Sequence, residues 1–178
     1  AVVYYFVHFD LFKRRQALIR NTQIYCRLIA VLFRVKIICK NPILADEHSL
    51  VVGNHLGFID VIVAQSIQPC VFVTSLEMKQ TPLLGQIADL AGCAYVNRQN
   101  RNNIELELKE LVEVLQSGFR IGLYPESMAS NGEQVLPFKK TLLQAAGFSG
   151  RPIRPYVFNY TKVNGRPVKY QDRDFLCW

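Results

Sequence analysis

The 178-residue chain lacks the cysteine and histidine groupings that build metal centres and redox sites. Its five cysteines are widely scattered and include no C-x-x-C pair, so we expect free thiols in a reduced, cytosol-facing protein. Its three histidines, His8, His48 and His55, have no metal-binding spacing, and we expect no bound metal. The absence of a G-x-S-x-G sequence argues against a serine hydrolase with a nucleophile elbow.

Long apolar runs, internal repeats and low-complexity tracts are absent as well. The apolar start, residues 1–7, is broken by His8 and Asp10, far short of the roughly 20 apolar residues that span a bilayer. With 50% hydrophobic and 20% charged residues, we expect one folded domain rather than a disordered tail or a coiled coil. The chain begins at Ala1 rather than Met, so we expect a piece truncated at both ends, in which an anchor could precede Ala1.

The net charge of +7 lies entirely in the first 40 residues. This stretch carries eight basic side chains and one acidic one, whereas 13 basic and 13 acidic side chains balance in the remainder. Aromatic and aliphatic residues lie among the basic ones, and no nucleic-acid-binding motif is visible. We therefore predict a basic amphipathic, membrane-associating helix over 1–35 on an anionic membrane surface, and no nucleic-acid partner. Two alternatives are a nucleic-acid binder that neutralises phosphates with its clustered basic residues and an ordinary first helix with solvated arginines.

From about residue 48, short β-branched runs alternate with helical stretches. The predicted strands are 50–52, 71–74, 94–97, 119–124 and 153–159, and the clearest helix is 104–116, where apolar residues recur with a 3.6-residue spacing. This alternation predicts an α/β domain with a mixed, mainly parallel sheet covered by helices. Ligands bind at the carboxyl ends of the strands in such sheets, so the polar residues at 53–55 and 124–126 are candidate site residues.

The segment NHLGFID at 54–60 places His55 at a probable strand end and Asp60 near the start of a helix. A tight turn containing Gly57 would let the two side chains meet, and an imidazole oriented by a carboxylate is a general base. Because the chain offers no nucleophile elbow, such a base fits direct attack by a hydroxyl of the substrate. Two alternatives stay open: Asp60 caps its helix beside a structural His55, or both join Glu126 in a phosphoesterase site.

Four ordered blocks resemble the PlsC-like glycerolipid acyltransferase family, of the lysophosphatidic acid acyltransferase type. The family blocks are NHxxxxD, GxxFIxR, FPEGTRS and VPIxP. The matching segments are NHLGFID at 54–60, GCAYVNR at 92–98, YPESMAS at 124–130 and RPIRP at 151–155. The resemblance covers about residues 36–178, which we therefore predict to be the acyltransferase domain.

The resemblance implies transfer of an acyl group from an acyl-CoA or acyl-carrier-protein thioester to the free hydroxyl of a lysophospholipid. His55 would be the general base and Asp60 its partner, with no cofactor beyond the thioester co-substrate. The second and third blocks would bind the acceptor, and the assigned substrate-binding residues are Arg98, Glu126, Ser127, Gly92 and Asn54. The fourth block would be an inner strand. We expect a membrane-associated protein at the cytoplasmic face of a bacterial inner membrane.

The third block departs from the family pattern. Ser127, Met128 and Ala129 replace its glycine, threonine and arginine, so a turn is altered and a phosphate contact is lost. Lys139 or Lys140 could supply the missing charge, and the acceptor could be lysophosphatidic acid, lyso-ornithine lipid or another lysophospholipid. A non-catalytic lipid- or acyl-carrier-binding module of the same fold is the alternative.

Overall fold

A computed structural model describes residues 10–44, 46–97, 103–163 and 165–168. In chain order its elements are α1 (Leu11–Leu32), β1 (Leu50–Gly53), α2 (Phe58–Ile67), β2 (Val71–Ser75), α3 (Leu76–Gln80), α4 (Leu84–Leu90), β3 (Ala94–Val96), α5 (Ile104–Gln116), β4 (Ile121–Leu123), a 3-10 turn (Thr141–Leu143), α6 (Gln144–Ser149), β5 (Ile153–Tyr156), β6 (Lys162–Val163) and β7 (Arg166–Pro167). The predicted α/β organisation is confirmed, and α5 has the bounds that its apolar spacing indicates.

Five parallel strands form the central sheet in the order β3-β2-β4-β1-β5, and β6 and β7 form a separate antiparallel pair. Val51 of β1 pairs with Gly122 of β4 on one side and with Arg154 of β5 on the other. The carboxyl ends of β1, β4 and β5 are therefore neighbours. This adjacency brings the loops that follow the three strands to one edge of the sheet.

The fourth sequence block is an edge strand, so its prediction as an inner strand is wrong. Among the strands that the structure describes, β5 pairs with β1 alone, and its first three residues are exposed. Proline has no backbone N–H and is confined to strand edges, which suits Pro155 within β5. β4 and β5 are also shorter than predicted, because the predicted bounds follow the apolar runs whereas the strand pairing with β1 ends at Leu123 and Tyr156.

Helix α1 begins at a side-chain cap and packs against α2. Asp10 caps it, with Oδ1 accepting from the backbone N–H of Phe12 at 3.0 Å. The buried amide of Gln65 in α2 donates to the carbonyl of Ile19 at 3.1 Å, and Ile19 belongs to the main core cluster. The predicted helix within 1–35 is thus present and shares its core with the α/β domain, while residues 1–9 lie outside the described part of the chain.

The outer surface of α1 is apolar as well as basic. Its exposed large apolar residues are Leu11, Phe12, Ile24, Tyr25, Leu28, Val31 and Leu32. Within the ranges that the structure describes, no helix has both the length and the apolarity needed to cross a bilayer.

Two glycines allow aromatic rings to lie directly on the sheet. A Cβ atom at Gly53 of β1 would stand 2.3 Å from the ring of Tyr156, and one at Gly122 of β4 would stand 2.5 Å from the ring of Phe72. Both distances are far below van der Waals contact, so no larger residue fits without moving the ring. Phe72 belongs to a second core cluster that also includes Tyr124, and Tyr156 packs against that cluster.

Candidate active site

The turn between β1 and α2 brings His55 and Asp60 together. Nδ1 of His55 lies 2.9 Å from Oδ2 of Asp60. The distance depends on the five-residue spacing, because β1 ends at Gly53 and α2 starts at Phe58, leaving four residues to reverse the chain. A carboxylate only accepts hydrogen bonds, so the neutral imidazole carries its proton on Nδ1 and presents an unprotonated Nε2.

Asp60 is fully buried and accepts four hydrogen bonds. Oδ2 accepts from His55 and from the backbone N–H groups of Leu56, at 2.5 Å, and Gly57, at 2.9 Å. Oδ1 accepts from the hydroxyl of Tyr160. The two interpretations offered by the sequence are therefore compatible, because one carboxylate both caps α2 and orients the imidazole.

The third block holds the backbone of His55. Oε1 of the buried Glu126 accepts from the His55 N–H at 3.1 Å, and Oε2 accepts from the Leu136 N–H at 3.0 Å. The His55 carbonyl accepts in turn from the Ser130 N–H at 2.9 Å. Both oxygens of Glu126 are engaged within the protein, so this geometry favours an orienting role over contact with an acceptor.

The His55 ring lies flat on the ring of Tyr124, with centroids 4.2 Å apart and an angle of 13° between the planes. Burial raises the pKa of Tyr124 well above its usual range, and nearby Tyr156 adds to the rise, so the phenol is uncharged at neutral pH. The His55 side chain keeps 21% of its surface exposed. One ring face is therefore packed while the rest of the imidazole stays within reach of a substrate.

Asn54 also acts inside the protein. Its Oδ1 accepts from the Phe158 N–H at 2.7 Å and its Nδ2 donates to the Phe158 carbonyl at 3.1 Å. This bidentate contact joins the end of β1 to the segment after β5. Sequence reasoning placed Asn54 among the substrate-binding residues and missed Tyr160, for which the alternation of Tyr156, Phe158 and Tyr160 is the available signal.

Ser127 occupies the glycine position of the third block with a φ of 65°. This left-handed conformation is the one that glycine adopts without a steric penalty, which explains the family preference at the position. The turn is kept, since the Ser127 N–H donates to the Tyr124 carbonyl at 3.1 Å.

The structure does not bring Gly92 to this site. Gly92 precedes β3, at the edge of the sheet opposite His55, and has a φ of 72°. A Cβ atom there would lie 3.4 Å from Leu18, so the glycine serves the turn beneath α1 rather than a substrate contact. Arg98, the other assigned residue of the second block, lies outside the described residues.

Cys26, Cys70 and Cys93 are poor candidates for a nucleophile, because burial raises the pKa of each thiol. Cys26, Cys39, Cys70 and Cys93 are free thiols, and Cys177 lies outside the described residues. Burial raises the pKa of both Cys70 and Cys93 to about 12, so both are protonated at neutral pH. No group of three or more His, Cys, Asp or Glu side chains in the described part of the chain could hold a metal ion.

Comparison with known proteins identifies the class to which this arrangement belongs. Residues 34–159 match the family model named "Acyltransferase", and the chain belongs to this family, as its sequence blocks predict. A 1-acyl-sn-glycerol-3-phosphate acyltransferase of Neisseria gonorrhoeae is 32% identical over 125 residues, which are 68% of this chain and 49% of the relative. The chain thus spans about half the length of that relative.

Two further proteins extend the comparison. A lyso-ornithine lipid O-acyltransferase of Brucella abortus is 26% identical over 166 residues, covering 89% of this chain and 62% of the relative. The crystal structure of the 1-acyl-sn-glycerophosphate acyltransferase PlsC from Thermotoga maritima superposes with a TM-score of 0.65 at 21% identity, over 85% of this chain and 62% of that one. The predicted glycerolipid-acyltransferase-like fold is therefore confirmed.

Proposed function

We propose that this chain transfers a fatty acyl group from an acyl-CoA or acyl-carrier-protein thioester to the free hydroxyl of a lysolipid. The observation that carries the proposal is the 2.9 Å contact between Nδ1 of His55 and the buried carboxylate of Asp60, beside an imidazole that stays partly exposed. Membership of the acyltransferase family and relatives named for two lysolipid acceptors support it.

In this reaction Nε2 of His55 accepts the proton of the lysolipid hydroxyl while its oxygen attacks the thioester carbonyl carbon. Asp60 stabilises the imidazolium that forms, as a buried acceptor on Nδ1. The tetrahedral intermediate then expels the thiolate, which takes the proton from the imidazolium and leaves as a free thiol. One ester bond forms and one thioester bond breaks, and the imidazole returns to its neutral state.

Exposed apolar side chains around the site suit an acceptor that lies in a bilayer. Phe58, Leu83, Met128 and Val157 are exposed in the segments that follow β1, β2, β4 and β5. An apolar rim at the catalytic edge can enter the membrane interface, where the basic, apolar α1 adds attraction to anionic headgroups. We place the protein on the cytoplasmic face of a bacterial membrane.

Lys139 is the residue that we assign to the acceptor headgroup in place of the family arginine, which is Ala129 here. Its backbone N–H donates to the Pro125 carbonyl at 2.9 Å, which fixes Lys139 beside the block that contains Glu126. Arg98 is the second assigned cation, carried over from the family pattern. A lysolipid with an anionic headgroup fits this charge.

The test is release of free thiol when the purified protein meets an acyl-CoA and a panel of lysolipids in detergent micelles. We expect His55→Ala to lower kcat/KM about 10²- to 10⁴-fold, the usual contribution of a general base. His48→Ala is the matched control, because His48 precedes β1 at the opposite edge of the sheet and should leave the rate unchanged.

Equal thiol release by wild type and His55→Ala would overturn the assignment of the base. Lipid binding without turnover on every acceptor would instead favour a non-catalytic lipid- or acyl-carrier-binding module, the function suggested by the altered residues Met128 and Ala129.

A further inference from the structure

Tyr160 contacts the proposed catalytic pair from a part of the chain that neither the family blocks nor the family model include. The model match ends at residue 159. The Tyr160 hydroxyl donates to Oδ1 of Asp60, the oxygen that His55 does not use. The two carboxylate oxygens of Asp60 thus accept from different side chains, Oδ1 from Tyr160 and Oδ2 from His55.

The segment that carries Tyr160 is fixed at two points. Asn54 binds both backbone groups of Phe158, two residues before Tyr160. The Phe158 and Tyr160 rings are then nearly parallel, with 4° between their planes and centroids 6.5 Å apart. Beyond it, the Thr161 carbonyl accepts from the Val168 N–H at 3.1 Å, closing the β6–β7 hairpin. The hydroxyl is therefore held in place before any substrate binds.

The chemistry of the phenol suits a permanent donor. Burial, followed by the charge of Asp60 and the hydrogen bond to it, raises the pKa of Tyr160 far above its usual range. The proton stays on the phenol throughout the neutral range, so Asp60 keeps this hydrogen bond whatever the state of His55. Loss of the hydroxyl would leave Oδ1 buried without a partner, because no other described residue donates to it.

We propose that Tyr160 is a positioning residue: by holding Oδ1 of Asp60, it directs Oδ2 towards His55 and fixes the imidazole for proton transfer. The NHxxxxD block then acts through a chain of contacts in which Asn54 holds the Tyr160 segment, Tyr160 holds Asp60 and Asp60 holds His55. The catalytic part of this proposal rests on the acyltransferase function proposed above.

The first test is Tyr160→Phe, which removes one hydroxyl and keeps the ring. We expect kcat for acyl transfer to fall about tenfold, the scale of a hydrogen bond to a charged group, with KM for the lysolipid unchanged. Tyr156→Phe is the matched control, because it keeps the buried ring that packs on Tyr124 and removes only a hydroxyl that makes no hydrogen bond to Asp60. An equal effect of the two variants, or no effect of Tyr160→Phe, would overturn the proposal.

A double-mutant cycle separates positioning from a general loss of stability. In an Asp60→Asn background, Tyr160→Phe should cost less than twofold further in kcat, because the residue acts through the Asp60 carboxylate. A full tenfold further loss in that background would mean that Tyr160 does not act through Asp60. If Tyr160→Phe does not fold, Tyr160→Gln, which keeps a donor, should exceed Tyr160→Leu in kcat, and equal values would overturn the proposal.

A readout without turnover distinguishes failure of this proposal from failure of the proposed function. The Nδ1–H proton of His55 should give a hydrogen-bonded NMR signal that is absent in His55→Gln. We expect the signal to weaken or vanish in Tyr160→Phe and to persist in Tyr156→Phe. An unchanged signal in Tyr160→Phe would refute the positioning role even if the wild-type protein transferred no acyl group.

Discussion

At the scale of single residues, several polar side chains of the sequence blocks form hydrogen bonds within the protein. The side chains of Glu126 and Asn54 form hydrogen bonds with backbone groups of neighbouring segments. The Asp60 side chain also binds two backbone N–H groups, besides His55 and Tyr160. The His55 imidazole, by contrast, combines a fixed orientation with a partly exposed surface. The spacing of these residues in the sequence therefore reflects hydrogen bonds within the protein as much as the needs of substrate recognition.

Replacement of Glu126 by Gln tests this division of roles. The amide keeps one acceptor and turns an NH2 group towards a backbone N–H, so we expect the free energy of unfolding to fall by about 1–3 kcal/mol. Urea denaturation measures the change. Glu133→Gln is the control, since Glu133 is exposed in the same loop. Equal losses in the two variants would attribute the effect to net charge rather than to the buried contacts.

At the scale of elements, local sequence determines the ends of α5 but not the position of β5. The bounds of α5 follow from apolar residues that repeat within one segment. The place of β5 at the sheet edge depends on its pairing with β1, about 100 residues earlier in the chain, which no local pattern encodes. For the same reason the contact of Tyr160 with Asp60 escapes sequence reasoning, whereas the contact of His55 with Asp60 follows from one short turn.

An ion pair links the edge strand β5 to the segment that precedes β1. Arg154 donates from Nε and Nη2 to the two carboxylate oxygens of Glu47, at 2.6 and 2.7 Å. The Arg154 hydrogen bond is the main reason that the pKa of Glu47 is lowered from its usual 4.5. The contribution of this ion pair to stability is therefore complete above pH 4.5. It is lost as the pH falls through the lowered pKa of Glu47, because the carboxylate becomes protonated.

Glu47→Gln should accordingly be less stable than wild type at pH 7 and equal to it in strong acid. Urea midpoints of the two proteins across the acid range measure the convergence. Glu105→Gln on the exposed face of α5 should show no such pH-dependent difference. A gap between wild type and Glu47→Gln that persists below the lowered pKa would contradict the assignment.

At the scale of the whole molecule, the charge asymmetry of the sequence and the exposed apolar surface of α1 coincide. The first 40 residues carry the entire excess of positive charge, and α1, which lies within them, leaves large apolar side chains exposed. Basic groups near an anionic bilayer each contribute about 1 kcal/mol to binding, and this attraction is screened by salt.

Sedimentation with phosphatidylglycerol-containing vesicles tests this surface. We expect binding that weakens as salt rises and that falls further in Leu28→Glu, which places a negative charge on the exposed part of α1. Leu106→Glu, at a leucine that is 69% exposed on α5, is the matched control and should bind as wild type does. Equal losses in the two variants would show that α1 is not the contacting surface.

Gly53 influences the His55 ring through two aromatic side chains, Tyr156 and Tyr124. A methyl group there has to displace the ring of Tyr156, which meets Tyr124 edge to face at 6.4 Å, and Tyr124 supports the ring of His55. The placement of the His55 ring thus depends on the absence of a side chain at Gly53. A substitution at Gly53 therefore alters the surroundings of His55 without touching it.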